Sequence, residues 1–404
     1  MLGTSHRRIA GALAFTLAFV LARAHAAPTS LEIPFELSGN HVVVPVRVHD
    51  RDLHFVLDTG AATSLIDTAR ARELGVPLGQ PFAVRGAGPG TTAGRFMTTP
   101  EPIRIGSGND AVTQPVMASI DFTSLSTHAG RDLDGILGGD FIRRFVLEID
   151  YEHQTLRLHE PATFAYNGKG TTLPLTFTLG FPHVRGTLTI SEQESFDADC
   201  VLDVGSSLQV AVTHPVAEAH GLAEKLKASA PVPVGRGAGG VSEGRLARLP
   251  AIQLGDITVK NTVASLAGPN AGVMSSSQAF EVNVGTGVMR HFTMYFDYGR
   301  SKVTFEPNGL TDEPFEHDMT GLVLTTEGRP YKRRIVEMAV PDLPAARAGI
   351  RDGDVLESID DVGADTLSMD QLRKLFMQDG RTYRIVVQRD GKRLTLTMTT
   401  RRIV

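Results

Sequence analysis

An internal repeat constrains the fold of this chain more than any other feature of its 404 residues. The stretch Cys200-Val201-Leu202-Asp203-Val204-Gly205 follows the pattern of Phe55-Val56-Leu57-Asp58-Thr59-Gly60, which lies 145 residues earlier. Further matches come in the same order at offsets of 151 and 147: Arg236–Gly239 on Arg85–Gly88, and Gly285, Phe292 and Asp297 on Gly138, Phe145 and Asp150. Ordered matches at a nearly constant offset indicate two homologous halves. We place these halves at residues 31–165 and 172–307.

Both halves are predicted to consist mainly of β-strands. Apolar and polar residues alternate from Ser30 to Val48, which is the pattern of strands with one buried face. Asp58 directly follows the apolar run Phe55–Leu57 and precedes Thr59-Gly60. Asp and Gly are common in turns, so a lone Asp-Thr-Gly is equally well explained as a turn. A carboxylate at the end of a buried strand is nevertheless costly unless it is paired, and the repeat supplies a partner.

The partner is Asp203, because two like halves related by approximate two-fold symmetry would bring both Asp-x-Gly turns face to face. Two carboxyl groups held that close cannot both ionise and therefore share one proton. One can act as a general base on a water molecule while the other donates a proton to a carbonyl oxygen. This chemistry needs no cofactor, metal or covalent nucleophile. The 13 His residues are scattered without paired spacing, and Gly205-Ser206-Ser207 lacks the surroundings of a catalytic serine.

The motifs of the first half resemble those of retropepsin-type aspartic proteases. The strand-Asp-Thr-Gly-Ala turn, the glycine-rich segment 84–95 and Ile136-Leu137-Gly138 occur in the expected order. The resemblance implies a bilobal acid-protease fold made of two β-barrel halves, with a polypeptide as substrate. It also implies that Asp58 and Asp203 are the catalytic residues and that Thr59, Gly60 and Gly205 support their loops. The flaps over the substrate would be residues 84–95, with Gly86, Gly88 and Gly90, and residues 235–245, with Gly237 and Gly239.

The second half departs from that pattern in two places. Val204 stands where a Thr or Ser hydroxyl normally braces the paired loops, and Asn283-Val284-Gly285 is a more polar version of the apolar-apolar-Gly element. Three interpretations therefore stay open. The chain is a monomeric endopeptidase with both aspartates, or a homodimer that uses Asp58 from two chains, or a non-catalytic periplasmic protein that binds or scaffolds peptides.

Residues 314–400 are predicted to form a third domain. Pro344 to Asp360 resembles the PDZ domains of bacterial envelope proteases, with a helix from Ser368 to Phe376 and a hairpin around Asp390-Gly391. The resemblance implies that Gly321, Leu322 and Val323 form the loop and strand to which a peptide C-terminus adds. It leaves open whether this domain recruits peptides or regulates a neighbouring catalytic unit.

Residues 1–26 have the form of a secretory signal peptide. Arg7 and Arg8 precede an apolar run from Ala10 to Ala22, and Ala24-His25-Ala26 resembles a cleavage site. We therefore expect an exported protein, periplasmic or secreted, with no membrane segment after signal removal. Cleavage would remove three arginines and change the net charge from −5 to −8, which argues against nucleic-acid binding. Cys200 is the single cysteine, so no internal disulfide can form.

Overall fold

The computed structural model describes residues 30–106, 111–276 and 278–404, so the predicted signal peptide lies outside the described residues. The fold is mainly β and consists of two related β-lobes followed by a smaller β-domain. This architecture confirms the predicted fold class, two homologous β-barrel halves followed by a PDZ domain.

The first lobe contains short helices at the ends of its strands. Its elements, in chain order, are β1 (Ser30–Pro34), β2 (Glu36–Ser38), β3 (His41–Val48), β4 (Arg51–Leu57), β5 (Leu65–Asp67), α1 (Thr68–Glu73), β6 (Leu78–Val84), β7 (Thr92–Ile105), β8 (Val112–Ile120), α2 (Thr123–Ala129), β9 (Gly135–Leu137), α3 (Gly139–Ile142), β10 (Val146–Asp150) and β11 (Thr155–His159).

The second lobe repeats this sequence of elements with small differences in length. It contains β12 (Thr171–Pro174), β13 (Thr176–Thr178), β14 (Phe181–Thr189), β15 (Ser195–Asp203), β16 (Val210–Val212), α4 (His214–Ala219), α5 (Leu222–Lys225), β17 (Val232–Gly237), β18 (Gly240–Leu254), β19 (Ile257–Ala267), β20 (Val282–Gly285), α6 (Thr286–Met289), β21 (Phe292–Asp297) and β22 (Lys302–Pro307). Two 3₁₀ turns complete it, at Val273–Ser275 and Tyr298–Arg300.

The C-terminal domain is a small sheet closed by helices. Its elements are β23 (Leu322–Thr326), β24 (Arg334–Ala339), α7 (Pro344–Arg347), β25 (Val355–Ile359), β26 (Val362–Gly363), a 3₁₀ turn (Ala364–Thr366), α8 (Met369–Leu375), β27 (Thr382–Arg389) and β28 (Lys392–Thr399). The strand order is β23-β24-β25-β27-β28, so β23 lies at the edge. The predicted helix forms with Ser368 as its N-cap, and the predicted hairpin turns at Asp390 and Gly391, both with positive φ.

Sheet topology demonstrates the internal symmetry. The main sheet of the first lobe has the order β2-β3-β4-β9-β5-β8-β7-β6, and that of the second has the equivalent order β13-β14-β15-β20-β16-β19-β18-β17. A third sheet, β1-β11-β10-β21-β22-β12, takes strands from both lobes. At its centre Glu148 pairs with Tyr295, which is its own repeat equivalent 147 residues later. A residue can pair with its own equivalent only next to the pseudo-two-fold axis, so the axis passes through this sheet.

One apolar core extends through both lobes. Leu147 and Ile149 of β10 and Met294 and Phe296 of β21 are fully buried within it, where the shared sheet joins the lobes. Burying a side chain of this size contributes about 1.5–3 kcal/mol. The C-terminal domain has a separate core, which includes Phe376 and the other buried residues of its helix and strands. The lobes are therefore one packing unit, and the C-terminal domain is a second.

Candidate active site

Asp58 and Asp203 occupy equivalent positions in the two lobes. Asp58 follows the last residue of β4, and its backbone N–H donates to the carbonyl of Leu137 at 3.0 Å. Asp203 ends β15 and lies in register with Gly285 of the parallel strand β20. Each aspartate is thus positioned by a parallel partner strand, β9 before Gly138 in the first lobe and β20 ending at Gly285 in the second. This explains why the element that contains these glycines recurs with the Asp-x-Gly turns in the sequence.

The two Asp-x-Gly turns face each other within one chain. A Cβ atom added to Gly60 would lie 2.7 Å from Oδ1 of Asp203, and one added to Gly205 would lie 2.3 Å from Cγ of Asp58. No side chain fits at either glycine, since each packs against the carboxyl group of the opposite lobe. The negative charge of Asp203 also acts on Asp58, as expected for two carboxyl groups in such close approach. The pair therefore forms without a second copy of the chain.

Thr59 alone joins the two turns through its hydroxyl. Oγ1 donates to the carbonyl of Leu202 at 2.7 Å and accepts from the backbone N–H of Val204 at 2.8 Å. Thr59 is 1% exposed, so both bonds are shielded from water. Val204, the equivalent residue of the second lobe, has no hydroxyl and so cannot make the matching bonds to the first turn. Its carbonyl accepts instead from Oγ1 of Thr286 at 2.9 Å. With Val at position 204, the two turns are therefore joined by the hydroxyl of Thr59 and not by a second hydroxyl from the other lobe.

Burial and proximity shift the acidity of the pair. Burial raises the pKa of Asp58 to about 8, and the negative charge of Asp203 contributes to the same shift. Burial also raises the pKa of Asp203, but hydrogen bonds from Asn283 and from the backbone of Gly205 oppose that shift. Two adjacent carboxyl groups with such shifts hold one proton between them near neutral pH. One acid and one base are then present together.

Asn283 makes a polar contact with the aspartate pair. The sequence analysis identifies this residue only as the polar position of Asn283-Val284-Gly285 and predicts no contact with either aspartate. Its Nδ2 donates to Oδ2 of Asp203 at 2.6 Å, from a side chain that is 6% exposed. Its Oδ1 is buried without a hydrogen-bond partner among the described residues. An unpaired buried polar atom costs about 1–3 kcal/mol, so this residue is a poor choice for stability alone. The signal available in the sequence is an amide inside an otherwise apolar strand.

The two predicted flaps meet at their tips. Gly90 N–H donates to the Gly239 carbonyl and Gly239 N–H donates to the Ala87 carbonyl, both at 2.8 Å. Gly88 has φ +96° and lies against Gly239 and Gly240, where a Cβ would collide with backbone. Gly86 and Gly237 likewise lie against the alanine of the opposite tip. All five predicted flap glycines are therefore at or beside the junction of the tips.

The predicted peptide-binding edge of the C-terminal domain is covered by its own chain. Leu322 and Val323 begin edge strand β23, and Gly321 precedes it with φ +74°. Helix α2 of the first lobe packs beside this strand, where Oγ1 of Thr326 donates to the Thr127 carbonyl at 2.8 Å.

The C-terminal end of α2 also contacts helix α8. Nη2 of Arg373 donates to the His128 carbonyl at 3.1 Å, and Gly130 lies against Met369. Helix α2 therefore lies against both β23 and α8. The residues predicted for peptide binding are thus placed at a strand edge that the first lobe occupies.

The C-terminal domain also contacts the second flap. Arg236, at the end of β17, donates to Oγ of Ser124 at 2.9 Å and pairs with Glu337 of β24. Val340 of the C-terminal domain packs with Val232 and Val234 of the same flap strand. Arg236 and Glu337 are too far apart in sequence for any motif to link them. A single arginine therefore connects a flap, helix α2 and the C-terminal domain.

Metal-binding clusters and membrane-spanning helices are both absent from the described part of the chain. Within residues 30–106, 111–276 and 278–404, no group of three or more His, Cys, Asp or Glu side chains is arranged to hold a metal ion. Over the same described residues, no helix is long and apolar enough to cross a membrane. Cys200 is buried and free.

Comparison with known proteins agrees with this geometry in two regions. Residues 44–141 match the family model for aspartyl proteases, which covers Asp58, the first flap and the Ile136–Gly138 element. Residues 335–389 match the model for PDZ domains. No curated protein matches the chain. The chain is therefore similar to aspartyl proteases of the retropepsin-like type over most of its first lobe, and to PDZ domains over its C-terminal domain.

Proposed function

We propose that this protein is an aspartic endopeptidase that hydrolyses peptide bonds with Asp58 and Asp203 as its catalytic pair. The observation that carries the proposal is the pair itself. Each carboxyl group packs against the loop glycine of the opposite lobe, and burial together with the charge of Asp203 raises the pKa of Asp58. Shifted acidity in such a pair suits general acid–base catalysis on a water molecule. Thr59, Gly60 and Gly205 then hold the loops, and the flap glycines allow the tips to close over a polypeptide.

The test is hydrolysis of fluorescein-labelled, denatured casein by the purified full chain between pH 3 and 8. Asp58→Asn and Asp203→Asn should each abolish turnover, because either change removes one member of the acid–base pair. Asp256→Asn is the matched control, since Asp256 is exposed in the turn between β18 and β19. Full activity of Asp58→Asn would refute the assignment. Retained activity of Asp203→Asn would point to a homodimer that uses Asp58 from two chains.

A non-catalytic peptide-binding or scaffold protein is the second candidate, and Val204 is the observation that favours it. The missing hydroxyl leaves the brace between the turns one-sided. Equilibrium binding of an unlabelled peptide by the wild-type chain, with no product over the same pH range, would support this candidate. Product formation that depends on Asp58 would exclude it.

We further propose that the PDZ domain controls access to the cleft. Support comes from its position, because β23 and α8 enclose α2 and Glu337 pairs with Arg236 of the second flap. Glu337→Ala should release the flap and raise the turnover of the casein probe. Glu357→Ala is the matched control, as Glu357 pairs with Arg393 inside the PDZ domain. A lower rate in Glu337→Ala, or an equal effect in both variants, would contradict this role.

Export to the periplasm or the medium is the remaining part of the proposal. It depends on the signal-like segment 1–26, with its two arginines, apolar run and small-x-small site. Expression of the full chain in a bacterial host should yield a shorter mature protein outside the cytoplasm. N-terminal sequencing should place its first residue at Ala27. An unprocessed chain confined to the cytoplasm would contradict export.

A further inference from the structure

The two lobes differ at one position beside the catalytic pair. In the first lobe Ile136 of β9 lies opposite Val56 of β4, and in the second Asn283 of β20 lies opposite Val201 of β15. These are equivalent positions of the repeat, 147 residues apart. The first lobe therefore presents an alkyl side chain where the second presents an amide.

The amide contacts only one of the two aspartates. Nδ2 of Asn283 lies 2.6 Å from Oδ2 of Asp203, a distance typical of a hydrogen bond to a charged acceptor. The reverse orientation would place the amide oxygen against a carboxylate oxygen, which is repulsive. On the other side, Oδ1 of Asp58 accepts from the backbone N–H of Gly60 at 2.8 Å, within its own turn. The side-chain donor is thus supplied to Asp203.

We propose that Asn283 is a positioning residue that decides which aspartate carries the charge, so that Asp203 is the general base and Asp58 the general acid. This inference rests on the proposed peptidase function. A donor that bonds to an ionised carboxyl group stabilises the ionised form, so the shared proton resides on Asp58. In a symmetric pair the proton would have no preferred side.

Other ionisable groups near the pair do not change this assignment. Tyr298, in the 3₁₀ turn after β21, senses the charge of both aspartates, and burial raises its pKa, so it is neutral. Arg143, which follows α3, acts on Tyr298 with its positive charge. His41 approaches the backbone of Gly205, and burial next to Arg373 lowers its pKa. Tyr298 therefore stays neutral over the pH range of the assay, and Asn283 is the side chain that donates directly to Asp203.

The assignment fixes the direction of proton transfer in hydrolysis. The Asp203 carboxylate takes a proton from water as the water oxygen bonds to the scissile carbonyl carbon. The carbonyl oxygen receives the proton of Asp58, which gives a neutral gem-diol. When the C–N bond breaks, the amine nitrogen takes the proton from Asp203 and a diol hydroxyl returns its proton to Asp58. Both aspartates then regain their starting states, so the cycle balances.

The test is the pH profile of kcat/KM for Asn283→Ile, which copies the residue of the first lobe. Loss of the donor raises the pKa of Asp203, so the acid limb should move to higher pH by about one to two pH units. The double variant Ile136→Asn/Asn283→Ile supplies a donor to Asp58 instead and should move the limb back toward the wild-type position. An unchanged acid limb in Asn283→Ile would overturn the inference.

A second readout separates this inference from the peptidase function. The urea midpoint of the same variants, followed by far-UV circular dichroism from pH 3 to 7, needs no turnover. Asn283→Ile should lose stability relative to wild type as pH rises, because ionising Asp203 becomes less favourable in the folded state. A wild-type protein without turnover that still shows this difference would refute the function and keep the role of Asn283. A midpoint difference that does not vary with pH would mean that Asn283 only fills space.

Discussion

Replacing Thr59 by Val should destabilise the two lobes far more than removing a buried hydroxyl that has no hydrogen-bond partner. Thr59 and Val have nearly the same shape, so the change deletes an oxygen and leaves packing in place. That oxygen donates to the Leu202 carbonyl at 2.7 Å and accepts from the Val204 N–H at 2.8 Å. Both bonds cross from one lobe to the other. The loss therefore acts on the junction that holds the two aspartates together.

The expected cost is about 2–4 kcal/mol of the free energy of unfolding. A buried hydrogen bond contributes about 1 kcal/mol, and a donor or acceptor left unpaired adds about 1–3 kcal/mol. The Val204 N–H donates to the Thr59 hydroxyl, so it carries most of this cost when that oxygen is deleted. A protein of ordinary stability has about 5–15 kcal/mol in total, so the variant should fold but unfold at clearly lower urea.

Urea denaturation followed by far-UV circular dichroism measures the effect, with the slope of the transition checked for constancy. Thr262→Val is the matched control, because Thr262 is fully buried and its hydroxyl has no partner among the described residues. It should be neutral or slightly stabilising. The swap Thr59→Val/Val204→Thr should recover part of the loss, since it places the hydroxyl in the opposite turn. Equal midpoints for Thr59→Val and Thr262→Val would refute the role given to this brace.

Three further predictions concern the shifts in acidity. The pH profile of casein hydrolysis should be bell-shaped, with the alkaline limb near the pKa of Asp58 at about 8, where the shared proton is lost; activity that persists unchanged above pH 9 would contradict it. Asp58→Asn should raise the free energy of unfolding at pH 7 by about 1–3 kcal/mol in a urea titration, because an acid with a raised folded pKa costs stability above its unfolded value of 3.8. Burial and the nearby Arg373 and Arg236 lower the pKa of His128 to about 3, so docking of the PDZ domain on α2 should weaken as pH falls below 6.5, by at most about 1.4 kcal/mol per pH unit. Small-angle scattering should show expansion on acidification in wild type and less in His128→Phe; equal expansion in both would exclude His128 as the cause.

The sequence predicts the bilobal fold because three segments of the first half recur in the same order in the second half. Phe55–Leu57 and Cys200–Leu202 are strands whose apolar residues must be buried, and each ends in the same turn. Two homologous halves have a natural two-fold arrangement, which brings equivalent turns together. For that reason the closeness of Asp58 and Asp203 can be expected from the amino-acid sequence. The helix and hairpin of the PDZ region are likewise predictable, from local capping and turn residues.

The sequence alone determined the two lobes, the aspartates and the presence of a third domain, because these depend on periodicity and on short motifs. Only the tertiary structure decided which contacts the equivalent residues of the two lobes make. Thr59 makes both cross-lobe bonds, Asn283 bonds to Asp203 alone, and α2 fills the edge of the PDZ domain. Each of these depends on contacts between residues about 80 to 250 positions apart. Distances and directions at such contacts come from packing of the whole chain, and no local pattern encodes them.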